Sequence, residues 1–136
     1  MLVRDIMTKR PTCIQAHQTL REAMQLLAEL DVRHLPVIDD GEVVGMLSDR
    51  DLRTYSPHLV FESNINRLAK DLDRPVVEVM STDVLTVEPE SSVQDLIDLL
   101  VENKVGALPV LDPVEETLVG IVSYIDVLKA ARASLE

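Results

Sequence analysis

Two short stretches hold a hydroxyl and an acid at the same separation: Ser48 and Asp51 in GMLSDRDL, residues 45 to 52, and Ser123 and Asp126 in GIVSYIDV, residues 120 to 127. Two kinds of chemistry fit that spacing. In the first, Ser-x-x-Asp is a helix capping box, each side chain satisfying a free backbone N–H at a helix start. In the second, the ionised Asp accepts hydrogen bonds from the hydroxyls of a ribose, while the Ser hydroxyl and the amides of the helix N-terminus face a phosphate. Spacing alone leaves both readings open.

The remaining reactive side chains do not assemble into a catalytic or metal-binding pattern. His17, His34 and His58 are scattered, with neither a nucleophile at a recognisable elbow nor a second ligand at metal spacing. The four glycines, Gly41, Gly45, Gly106 and Gly120, form no phosphate loop. Gly41 reads as a turn residue, Gly45 and Gly120 as strand positions where another backbone comes close, and Gly106 as a helix end. No enzyme, required cofactor or metal site is expected. Cys13 is the only cysteine, so no internal disulfide forms and a reducing cytosol is the natural compartment.

Composition narrows the partners. The 136 residues are 46% hydrophobic but only 2% aromatic, so a core of Leu, Val, Ile, Met and Ala is expected and stacking platforms for single-stranded nucleic acid are not. Thirteen Lys and Arg against 24 Asp and Glu leave a net charge of -11, which repels DNA, RNA and anionic membrane surfaces. Runs such as VVGML are too short to span a bilayer and MLVRDIM lacks the apolar centre of a signal peptide, so the expected location is cytoplasmic.

The elements that must position the Ser-x-x-Asp pairs occur twice. VRDIM at 3 to 7 returns as VVEVM at 76 to 80, and HLPVID at 34 to 39 as ALPVLD at 107 to 112, both at an offset of 73; GMLSDRDL returns as GIVSYIDV at 75. After an opening turn of helix, PTCIQA and DVLTVEP are short extended runs. Helical periodicity follows in Leu20, Ala23, Met24, Leu27 and Leu30, and in Val93, Leu96, Ile97, Leu100 and Val101, with Thr19/Glu22 and Ser92/Asp95 as capping pairs. RHLPVID and EVVGMLS flank Asp40-Gly41, a type I′ hairpin signal, whereas ALPVLD and TLVGIVS are joined by the longer PVEE loop. A last helix starts near Ser48 and near Ser123. Each copy thus reads strand, helix, strand, strand, helix: residues 1–53 and 76–136, joined by a 54–75 linker with a turn at Ser56-Pro57 and a short helix presenting Ile65, Leu68, Ala69 and Leu72.

VRDIMTKRP and RHLPVIDDGEVVGMLSDRDL, with VVEVMSTDVLTV and VGALPVLDPVEETLVGIVSYIDVL, resemble the two motifs of a CBS domain pair, or Bateman module. The likeness covers residues 3 to 53 and 76 to 129, and the DRDLR-x-x-SP passage and layout are loosely similar to the N-terminal part of AcuB-like acetoin-utilisation proteins. The resemblance implies an α/β (α+β) fold of tandem β-α-β-β-α repeats packed sheet to sheet with pseudo-two-fold symmetry. It also implies two composite clefts for an adenosyl ligand: AMP, ADP, ATP, NAD or S-adenosylmethionine.

Carried onto this chain, one cleft joins Leu85, Gly106, Ala107, Leu108 and Pro109 to Ser48, Arg50 and Asp51. The other joins Thr12, His34, Leu35 and Pro36 to Ser123 and Asp126. Arg50, with Arg33, Arg53 and Arg4 as further cations, makes the Asp51 cleft the expected anion site, since the second copy has Tyr124 and Ile125 there. The implied function is a non-catalytic adenosyl sensor, a homodimer that signals to an unidentified regulated protein. The alternative is a dimerisation or interaction scaffold with vestigial clefts and Ser-x-x-Asp as caps alone.

Overall fold

In the computed structural model of the chain, residues 1–53 and 71–135 are described. The expected turn at Ser56-Pro57 and the face of Ile65, Leu68 and Ala69 lie outside them. In chain order the elements are α1 (Val3–Ile6), β1 (Thr8–Lys9), β2 (Ile14–Gln15), α2 (Leu20–Leu30), β3 (His34–Asp39), β4 (Glu42–Ser48), α3 (Asp49–Arg53), a 3-10 helix (Val76–Glu78), α4 (Val93–Asn103), β5 (Ala107–Leu111), β6 (Leu118–Ser123) and α5 (Tyr124–Ser134). They form two compact units, Thr12–Asp83 on the one hand and Met1–Pro11 with Val84–Glu136 on the other.

The Thr12–Asp83 unit carries a three-stranded sheet in the order β2-β3-β4. Its helix α2 starts where the Thr19 hydroxyl accepts the Glu22 N–H at 3.2 Å, and buries Leu20, Ala23 and Leu27. Strands β3 and β4 form the expected hairpin, with positive φ at both Asp40 (50°) and Gly41 (80°). The other unit orders its strands β1-β6-β5 and packs α4 through Leu96 and Leu100. Ser92 caps α4 by accepting the Asp95 N–H at 3.0 Å.

Two local expectations need correction. Gly106 does not end α4: Lys104, in the left-handed region at φ 54°, caps it two residues earlier, as Asp31 at φ 51° caps α2. The DVLTVEP run contributes not a strand but a single parallel bridge, Val87 to Val110, because the chain turns at once as the Glu88 N–H bonds the Ser91 hydroxyl at 3.2 Å.

The opening segments trade places between the copies. Val3 is fully buried in the core formed by Val87, Leu96, Leu100, Leu108, Val110 and Val122, all from the second copy. Val76 is fully buried with Ile14, Leu20, Leu35, Leu47 and Leu52 of the first. Backbone pairing matches this burial: Thr8 pairs with Ile121 in β6, and Ser81 bridges Met46 in β4.

Those crossings use the strand glycines as expected. A Cβ on Gly45 would meet Met80 Sδ and stand 2.7 Å from the Ser81 carbonyl oxygen; one on Gly120 would stand 2.6 Å from Met7 Sδ and 3.0 Å from the Thr8 carbonyl oxygen. Each glycine follows a register shift, between Val37 and Ile38 in the first hairpin and between Val110 and Leu111 in the second. Bulge and glycine together bend the strand and open its backbone to a crossing neighbour.

Candidate ligand-binding site

Both Ser-x-x-Asp pairs are reciprocal capping boxes. Ser48 Oγ accepts the Asp51 N–H at 3.1 Å, and Asp51 Oδ2 accepts the Ser48 N–H at 2.9 Å. At the second copy the matching distances are 3.3 and 2.8 Å, and the Ser123 hydroxyl also donates to Asp126 Oδ2 at 3.2 Å. Each box therefore occupies one carboxylate oxygen. The other, Oδ1, makes no hydrogen bond among the described residues, and both acids are only half-buried. A cap at these positions leaves an acceptor for a ligand hydroxyl.

The hairpin register brings the start of each Leu-Pro-Val strand to its own capping box. His34 lies opposite Ser48 and Ala107 opposite Ser123. Backbone bonds tie the same points together, from the Asp49 N–H to the Arg33 carbonyl at 2.9 Å and from the Tyr124 N–H to the Gly106 carbonyl at 3.1 Å. Thr12 and Leu85, both exposed, stand two residues ahead of Ile14 and Val87, which pair in parallel with Val37 and Val110.

The site residues thus divide between the units. Thr12, His34, Leu35, Pro36, Ser48, Arg50 and Asp51 belong to one, and Leu85, Gly106, Ala107, Leu108, Pro109, Ser123 and Asp126 to the other. Leu35 and Leu108 are core side chains, so what their segments can offer a ligand is backbone.

The two copies differ in charge. Arg50 is exposed and has no ion pair among the described residues. Arg53 sits 3.4 Å from Asp49, and Arg4, in the other unit, is 2.6 Å from Glu90; both pairs are solvent-exposed and worth little. Burial lowers the pKa of His34 below the ordinary 6.5, against the opposing pull of the Asp49 and Asp51 carboxylates and with a smaller contribution from Arg33. The imidazole is therefore neutral at pH 7.

Asp49 is the residue sequence reasoning passed over. The sequence reading gives it no role, yet its carboxylate charge acts on His34. Counting back from the Asp40-Gly41 loop pairs His34 with Leu47; the bulge shifts the partner to Ser48 and carries Asp49 to the same edge. Among the described residues, no three His, Cys, Asp or Glu side chains gather closely enough to hold a metal ion. No described helix is long and apolar enough to cross a membrane.

Two copies of one helix, β-hairpin and helix unit, opened by strand β2 in the first and by the Val87 bridge in the second, each with a capped helix start against a Leu-Pro-Val strand, define a tandem-repeat α/β protein. The chain belongs to the CBS domain family, which matches residues 3–58 and 76–133. A CBS domain-containing protein of Dictyostelium discoideum is 37% identical across all of this chain and 94% of its own length. The chain is similar in structure to a Vibrio cholerae protein carrying the acetoin utilization name AcuB, at 30% identity and TM-score 0.80, covering 98% of this chain and 92% of that one. The crystal structure of CBSX2 in complex with AMP matches at 31% identity and TM-score 0.80, over 98% of this chain and 97% of that one.

Proposed function

We propose that the chain is a non-catalytic, cytoplasmic regulatory module that binds an adenosyl ligand between its two CBS motifs. The carrying observation is the duplicated capping box whose Asp keeps one oxygen outside the cap, set in each copy beside the start of a Leu-Pro-Val strand. AMP bound to CBSX2 supports the ligand class. Leu85 and residues 106–109 with Ser48, Arg50 and Asp51 make one cleft; Thr12, His34, Leu35 and Pro36 with Ser123 and Asp126 make the other. A bound ligand shifts the packing of the copies, or the geometry of a homodimer, and a regulated protein reads that shift.

A homodimer has apolar surface to use. Val101 on α4 is 68% exposed and Leu128 on α5 58%, with Ile97 and Ile125 also exposed. The second reading, a dimerisation scaffold with vestigial clefts, is favoured by the fact that capping and close backbone approach already account for Ser48, Asp51 and Gly45.

Thermal unfolding in the presence of AMP, ADP, ATP, NAD or S-adenosylmethionine separates the two. A ligand present at about 100 times its Kd adds about 2.7 kcal/mol to the native state, a readily measured rise in Tm. No shift with any of them at millimolar concentration, together with a dimer in sedimentation, selects the scaffold. A monomer at every concentration removes the dimer from either reading.

A further inference from the structure

We propose that a second copy of this chain docks on the helix pair of the second motif and not on that of the first, with α4 of each protomer lying against α5 of its partner. The inference rests on the homodimer of the reading above and adds which surface makes it and in what orientation. Ile97 and Val101 stand four residues apart on α4, and Ile125 and Leu128 three apart on α5, so each pair shares a helix face, and all four are exposed. The two helices pack beside one another within one unit. The corresponding positions of the first copy are Met24, Ala28, Arg50 and Arg53. Met24 packs against its own core, Ala28 presents a single methyl, and an interface there would have to strip two guanidinium groups of water. Duplicated helices thus offer an apolar patch to solvent in one copy and not in the other.

Charge names the occupant. The charged side chains of α4 are Asp95, Asp98 and Glu102, all exposed, and the helix has no basic residue. On α5 the exposed charges are Lys129 and Arg132, while its one acid, Asp126, is engaged in the cap. None of these five exposed charges has an ion pair among the described residues. An apolar patch with acid on one helix and base on the other is complementary to itself. Under a two-fold axis α4 meets the partner's α5 twice and acid faces base both times, whereas α4 against α4 and α5 against α5 sets like charges together. The apolar side chains supply the burial and the flanking charges fix the orientation.

Sedimentation of the full chain tests the surface. The wild type is expected to dimerise. Val101→Glu and Leu128→Glu, which put a carboxylate into the patch, are expected to weaken the dimer about tenfold or more, and Ala28→Glu, at the first-copy position that matches Val101, is expected to leave it unchanged. Thermal melts verify that each variant folds. Glu102→Lys alone and Arg132→Glu alone are each expected to weaken the dimer about two- to fivefold at low salt, and the two together to restore it. Dimers of wild-type strength in both Val101→Glu and Leu128→Glu, or dissociation by Ala28→Glu, overturn the surface. Failure of the double reversal to restore the dimer overturns the α4-to-α5 orientation. A wild type that is monomeric at every concentration overturns the inference together with the homodimer beneath it, while a rise in its Tm with AMP keeps the ligand part of that reading in place.

Discussion

Alanine at Gly45 is expected to destabilise the Thr12–Asp83 unit more than any other single methyl added to a strand of this protein. The new Cβ meets two neighbours of different compliance. Met80 Sδ is the end of a flexible side chain and can swing aside. The Ser81 carbonyl oxygen, 2.7 Å from that Cβ, is backbone, and its residue is held in a two-way bridge: the Met46 N–H donates to it at 3.0 Å and the Ser81 N–H donates to the Met46 carbonyl at 2.9 Å. Relief therefore requires breaking or bending the bridge that docks residues 76–81 onto β4. Overpacking of this kind costs about 1–3 kcal/mol, and the rigid neighbour puts Gly45→Ala toward the upper end. Gly120→Ala, whose backbone neighbour lies 3.0 Å away, is expected to cost less. Urea unfolding of the two variants checks the order; equal stability of Gly45→Ala and wild type removes close approach as the reason for this glycine.

The second large effect is on ligand binding at the capping aspartates. Alanine at Asp51 would remove the cap as well as the proposed ribose acceptor, and losing a cap alone costs about 1 kcal/mol of stability. Asp51→Asn separates the two, since the amide oxygen can still accept the Ser48 N–H while the amide nitrogen cannot accept a ribose hydroxyl. A hydrogen bond to a charged group contributes about 1.5–3 kcal/mol, so Asp51→Asn is expected to weaken AMP binding by roughly tenfold to a hundredfold with little change in Tm. Asp126→Asn is expected to lose less, because Tyr124 and Ile125 replace the Asp49-Arg50 pair and leave no cation at that cleft's helix start. Titration of both variants decides the assignment: a greater loss at Asp126 makes its cleft the anion site.

Much of the local structure was legible in the residues. Apolar spacing with Thr19 and Ser92 at the helix starts located α2 and α4, because amphipathic periodicity and an N-cap are properties of contiguous sequence. The Asp40-Gly41 hairpin was legible for the same reason: few residues adopt two consecutive positive φ angles. The Gly106 reading failed because Lys104 reached the left-handed region without glycine, something composition does not announce.

The sequence by itself determined the duplication, the order of elements in the first copy, the helix, hairpin and helix of the second, and the paired Ser-x-x-Asp caps, all of which depend on interactions within a few residues along the chain. The tertiary structure alone decided which core each opening segment joins. VRDIM and VVEVM carry nearly the same apolar pattern, so either core would accept Val3 or Val76 by local preference; the choice is made by long-range burial and by backbone pairing at Gly120 and Met46. It also decided that His34 faces Ser48 rather than Leu47. One bulged residue changes the pairing by a single step, and in a strand a single step exchanges the two faces.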